Sequence, residues 1–194
     1  MALASWRKGI RALGATVGLL GTASLRAQAN PFDPVTPDRT VPGVVCYHHA
    51  RYIVVEREGR DVGSDLFVRP GQSRRCDADS LPGDYVWRNR DADYFLGLRG
   101  DLLFIDRGTG PDARTFLVIN LRTRRQLVQM DYVGDVIAGP DSLTVGVWQG
   151  YTLTKPAPGC PATEMIPGVD SLVWLNVRSG VAQSAKRARC AERQ

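Results

Sequence analysis

From residue 43 onward the chain shows no apolar period of 3.6 residues, so nothing in it asks to be an amphipathic helix. What recurs is a short β-branched or aromatic run closed by Gly, Pro, Asp or Asn, the signature of strand and turn. "RYIVVER" (51–57), "SDLFVRP" (64–70), "DYVWRN" (84–89), "DYFLGLR" (93–99) and "DLLFIDR" (101–107) are five such runs. "RTFLVINLR" (114–122), "RQLVQMDYV" (125–133), "DSLTVGVWQ" (141–149), "DSLVWLNVR" (170–178) and "VAQSAKRAR" (181–189) follow. Strands spaced this closely, without helices between them, pair antiparallel in an all-β domain. In "DSLVWLNVR" the period of two puts Leu172 and Trp174 on one face and Val173, Leu175 and Val177 on the other. Both faces are apolar, which predicts a strand covered on both sides and Trp174 in the core.

Two of the runs repeat each other. "FLVINLRTRRQLV" (116–128) aligns without a gap with "LVWLNVRSGVAQS" (172–184) at an offset of 56, matching Asn120 to Asn176, Arg122 to Arg178 and Thr123 to Ser179. A weaker third copy is "LFVRPGQSRR" (66–75), in which Val68-Arg69 lead into Pro70-Gly71. In each, an apolar strand meets a tight turn and a second strand returns, so residues 43–194 are expected to form one domain with about three hairpin modules. The units "INLRTR" and "LNVRSG" resemble the strand-turn hairpin of a β-propeller blade of the WD-repeat type. Their Asn amide suits hydrogen bonding to turn backbone, and Gly accepts positive φ. The pattern departs from a WD repeat in lacking Gly-His and Trp-Asp pairs and in its longer period. The resemblance implies antiparallel β-meander repeats arranged as an open propeller-like stack or a small barrel.

Residues 1–29 have a different composition. Arg7, Lys8 and Arg11 precede fourteen uncharged residues, Ala12 to Leu25, and Ala27-Gln28-Ala29 has the small-residue spacing read by signal peptidase. Fourteen is short of the roughly 17–25 residues of a membrane span. A signal peptide cleaved after Ala29 is expected, followed by an extended leader, residues 30–42, with four prolines. Removing Arg7, Lys8, Arg11 and Arg26 lowers the 25 Lys and Arg to 21 against 20 Asp and Glu, a balance of +1. The basic character of the whole chain thus belongs largely to the export segment, and neither nucleic acid nor stable membrane insertion is expected. The run Lys186-Arg187-Ala188-Arg189 reads as a solvated strand edge.

Cys46, Cys76, Cys160 and Cys190, an even count in an exported chain with no C-x-x-C pair, point to two disulfides in the periplasm or outside the cell. Each of the pairs 46–76 and 160–190 spans 30 positions and brackets a hairpin module, so local pairing is expected; the rival, Cys46 with Cys190 and Cys76 with Cys160, would fasten the two ends together.

Little points to catalysis. His48 and His49 are the only histidines, and neighbours on a strand point to opposite faces. No G-x-S-x-G elbow occurs, and "DRGTGPDARTF" (106–116) lacks the Lys-Ser or Lys-Thr of a phosphate-binding loop. Asp77, Asp79, Asp84, Asp91 and Asp93 cluster in residues 76–95, but Leu81 stands where a calcium loop needs an oxygen ligand. No cofactor or metal ligand set is expected. Trp148 and Tyr151, flanking Gln149-Gly150 as at a turn, are the candidate exposed aromatics for ligand contact. The sequence therefore reads as a binding or structural module for an envelope or extracellular protein or glycan. A carboxylate-dependent glycan hydrolase built on the Asp-rich loop is the alternative.

Overall fold

The structure of the protein, a computed structural model, describes residues 30–73, 75–110 and 113–193. The expected signal segment, residues 1–29, lies outside them. The strands are β1 (Pro37–Asp38), β2 (Val44–His48), β3 (Tyr52–Glu58), β4 (Ser64–Pro70), β5 (Tyr85–Trp87) and β6 (Asp93–Arg99). β7 (Leu102–Arg107), β8 (Arg114–Asn120), β9 (Arg125–Ala138), β10 (Thr144–Thr152), β11 (Ile166–Asn176) and β12 (Ala182–Arg193) follow. A single 3-10 turn, Gly71–Ser73, is the one helical element among the described residues. Each of the ten runs read from the sequence overlaps one of β3 to β12. β2 escaped that reading because "VVCYH" has no polar alternation and abuts the proline-rich leader.

β1 to β5 form one antiparallel sheet in chain order and β6 to β12 a second. Neither closes on itself, so the small-barrel expectation is corrected: closure requires the first and last strands to pair, whereas β6 and β12 are both edges. The second sheet folds over along β9. That strand's first half, Arg125 to Tyr132, pairs with β8, and its second half, from Val133, pairs with β10. At the changeover stands Gly134 with φ +67°, a left-handed conformation that costs a side-chain-bearing residue about 1–2 kcal/mol.

Three layers result. The middle one, β6 to β8 with the first half of β9, is covered on both faces. Leu103, Ile105, Leu117 and Ile119 meet Val54, Leu66 and Val68 of the first sheet. Alternating with them, Phe104, Phe116 and Val118 meet Val145, Val147, Val173 and Leu175 of the third layer. This explains the unbroken apolar runs "LLFI" and "FLVI": a strand buried on both sides has no solvent face to make polar. The β11 alternation is as expected, with Val173, Leu175 and Val177 turned to the middle layer and Leu172 and Trp174 to the outer face. Trp174, expected in the core, is only partly buried, because the side chains of β9, β10 and β12 cover that face incompletely.

The first sheet's outer face, with Val44, Cys46, Ile53, Val55 and Phe67, is covered by Cys76 and Ala78 of the loop after β4. Cys46 is bonded to Cys76 and Cys160 to Cys190, at Cα separations of 5.8 and 5.6 Å, both ordinary for a disulfide. These are the local pairs, one at each end of the stack. β12 is exposed along most of its length and forms the edge of the third layer, with Lys186 and Arg187 in solvent and Arg189 bonded to Asp170 at 2.9 Å.

The leader is not free of the fold. Phe32 packs on Phe104 with ring centroids 5.0 Å apart, and Gly97 leaves the space it occupies: a Cβ there would lie 2.3 Å from the Phe32 ring. The Asp33 backbone N–H donates to Leu98 O at 2.7 Å, and β1 pairs with β2.

Candidate functional site: an arginine-lined cleft

The two copies of the repeat build the same turn. Asn120 Oδ1 accepts from the backbone N–H groups of Arg122 and Thr123, both at 3.0 Å. Asn176 Oδ1 accepts from those of Arg178 and Ser179, at 3.1 and 3.0 Å. The side-chain amide thus takes the place of a backbone acceptor and closes the turn. The next equivalent positions, Arg124 and Gly180, both have positive φ, 55° and 73°. Identical local chemistry sends Arg122 and Arg178 to the same end of the stack.

There they line one cleft of about 690 Å³. Arg51, from the connection between β2 and β3, and Arg99, at the end of β6, complete a set of four guanidinium groups. Asp101 is the one acidic residue of the lining; Leu102, Leu127 and Leu143 supply apolar wall, and Thr123 and Ser142 supply hydroxyls. Two of the four arginines have structural work. Arg99 donates to Pro31 O at 2.6 Å and Ser142 O at 2.9 Å, tying the leader to the third layer. Burial lowers its pKa, against the attraction of Asp33 and Asp141. Arg51 pairs with Asp101 at 3.0 Å, and the Tyr52 hydroxyl donates to the same carboxylate at 3.0 Å. Burial first, then this bond, raises the Tyr52 pKa and keeps the phenol neutral. Arg122 and Arg178 are exposed, and their guanidinium groups make no hydrogen bond or ion pair among the described residues.

The third copy of the repeat uses its arginine differently. Arg69, fully buried, donates to the backbone oxygens of Arg75, Asp77 and Asp79 and lies 3.2 Å from the Asp84 carboxylate. It anchors the loop that covers the first sheet. The Asp-rich segment is accordingly scaffolding: Asp93, also buried, accepts from Trp87 Nε1 at 2.9 Å and Arg107 Nε at 2.6 Å, and Asp77 pairs with Arg75 at 2.8 Å. None of its five carboxylates lines the arginine cleft.

The aromatic pair expected at a turn is corrected. Gln149-Gly150 is not a turn; β10 runs through it, pairing with Ser171 and Asp170. Trp148 is consequently only 8% exposed, packed with Val133 and Leu172 and capped by the Arg189 guanidinium 4.3 Å from its ring. Tyr151 is 49% exposed and stands without it. His48 is exposed, whereas His49 turns inward beside Phe95, and both its ring nitrogens are buried without a hydrogen-bond partner. The sequence reading missed the cleft. The available signal was the arginine shared by two aligned turns.

No family model, curated protein or solved structure matches the chain.

Proposed function

We propose that the protein is an exported β-repeat binding module, cleaved after Ala29 and working in the periplasm or outside the cell, whose ligand occupies the arginine-lined cleft. Two disulfides belong to an oxidising compartment. The three layers are taken as successive blades of an open propeller-like stack, a rigid scaffold on which turns can carry a site. One observation carries the reading: two repeat-equivalent arginines, each on a preformed turn and each lacking an ion-pair partner among the described residues, converge on one concavity. Exposed guanidinium groups that no carboxylate pairs with are suited to a ligand's anionic groups. Four of the five carboxylates of residues 76–95, those of Asp77, Asp84, Asp91 and Asp93, are engaged by Arg69, Arg75 and Arg107, which favours binding over the hydrolase alternative. No helix among the described residues is long and apolar enough to cross a membrane.

The test is a comparison of immobilised protein with its Arg122→Ala/Arg178→Ala double variant against envelope extract and a glycan array. Ligands retained by the first and lost by the second support the cleft; identical retention by both overturns it.

A further inference from the structure

Resting on that reading, the chemistry of the cleft narrows the ligand class. We infer that it accommodates a short acidic oligosaccharide whose sugar rings carry carboxylates, as in a chain of uronic acids. Three features converge. First, the lining arginines come from four separate stretches of chain. Arg51 is held by Asp101 and Arg99 by the carbonyl oxygens of Pro31 and Ser142, which leaves Arg122 and Arg178, on two different turns, without a hydrogen bond or ion pair to their guanidinium groups among the described residues. Two such cations on separate turns suit two separate negative groups, and the planar fork of each matches a carboxylate in two parallel hydrogen bonds.

Second, Asp101 sits among them. Its carboxylate accepts but does not donate, so it opposes a densely charged ligand such as a polyphosphate and suits one that also offers hydroxyl donors. Thr123 and Ser142 add hydroxyls able to donate or accept. Third, Leu102, Leu127 and Leu143 make part of the wall apolar, a surface for the C–H face of a sugar ring. The volume of about 690 Å³ lies within the roughly 300–1,000 Å³ of small-molecule sites.

The experiment is calorimetric titration of the purified protein at low ionic strength with three probes: trigalacturonate, its fully methyl-esterified form, and fructose 1,6-bisphosphate. Trigalacturonate is expected to bind, and the neutral ester at least about ten-fold more weakly. Arg122→Ala and Arg178→Ala are each expected to weaken binding by about ten-fold, the loss of hydrogen bonds to a charged group. Thermal unfolding of both variants should match the parent, because neither side chain is buried or paired. Equal binding of acid and ester overturns the inference, as does binding of the bisphosphate without the uronate. If trigalacturonate fails while extract capture still depends on Arg122 and Arg178, the ligand class is wrong and the binding module stands. Failure of both overturns both.

Discussion

Arg69 and Asp84 form an ion pair at 3.2 Å with side chains 0% and 1% exposed. One is the last buried residue of β4, on the outer face beneath the covering loop, and the other closes that loop where it returns to β5. Arg69 also holds three carbonyl oxygens of that loop, and Asp84 Oδ2 accepts from Leu81 N–H at 2.9 Å. Removing one partner strands a charge in a dry interior, a loss of about 3–5 kcal/mol. Arg69→Met is therefore expected to lower the urea midpoint severely and to open residues 71–84 to proteolysis. Arg69→Met/Asp84→Leu should recover part of the loss, because no unpaired charge remains. A double variant no better than Arg69→Met would show that the carbonyl contacts, not the pair, dominate.

Phe32 and Gly97 test whether the leader is part of the folded domain. Phe32→Ala should cost about 2–4 kcal/mol through lost packing on Phe104. Gly97→Ala should destabilise by expelling the ring. Combined with Phe32→Ala, Gly97→Ala should cost much less. That non-additivity, measured in a double-mutant cycle, is the signature of the contact.

The two disulfides close loops of equal length, 30 positions each, so the chain-entropy contribution is the same, about 3–4 kcal/mol apiece. Their surroundings differ. Cys46 is fully buried, and Cys190 lies on exposed β12. Mild reductant under native conditions should open Cys160–Cys190 first and leave Cys46–Cys76 intact until the first sheet unfolds, as mass-spectrometric thiol labelling would read out. Simultaneous labelling of all four would contradict this order.

His49 should make stability fall on mild acidification. Burial lowers its pKa below the ordinary value of 6.5, against the pull of Asp33 and with the repulsion of His48. The unfolded chain therefore takes up a proton at a higher pH than the folded one. The sign follows: stability is fully present above about pH 6.5 and is lost as the pH falls through that value toward the lower folded pKa. The melting temperature should drop between pH 7.5 and 5.5, and His49→Phe, which suits a site beside Phe95, should remove most of that drop.

Arg124 has φ 55°, where the matching residue of the other copy is Gly180. Its side chain holds Gly83 O at 3.0 Å, a bond between exposed groups. Arg124→Gly should therefore raise stability by about 0.5–1 kcal/mol in thermal or urea unfolding, relief of left-handed strain outweighing the added flexibility of the unfolded chain.

The β character, the ten strand-bearing runs, the alternation of Leu172 and Trp174 against Val173, Leu175 and Val177, and the Asn-closed turns were all legible in the sequence. They depend on interactions within a few residues: side-chain alternation along a strand, and an amide reaching two positions ahead. The local spacing of the cysteines belongs with them. What a residue faces across the molecule is set by contacts between distant segments, and only the tertiary structure decided it. Arg69, near the end of β4, and Arg122 and Arg178, just after β8 and β11, are equivalent in the repeat, yet the first is roofed over by residues 71–84 while the other two open into a common cleft, since of these three strands only β4 is followed by a loop long enough to fold back. Trp148 looked exposed because Gln149-Gly150 resembles a turn. It is buried because β11 extends far enough to keep β10 paired through that dipeptide, and because β9, bending at Gly134, brings Val133 against the ring.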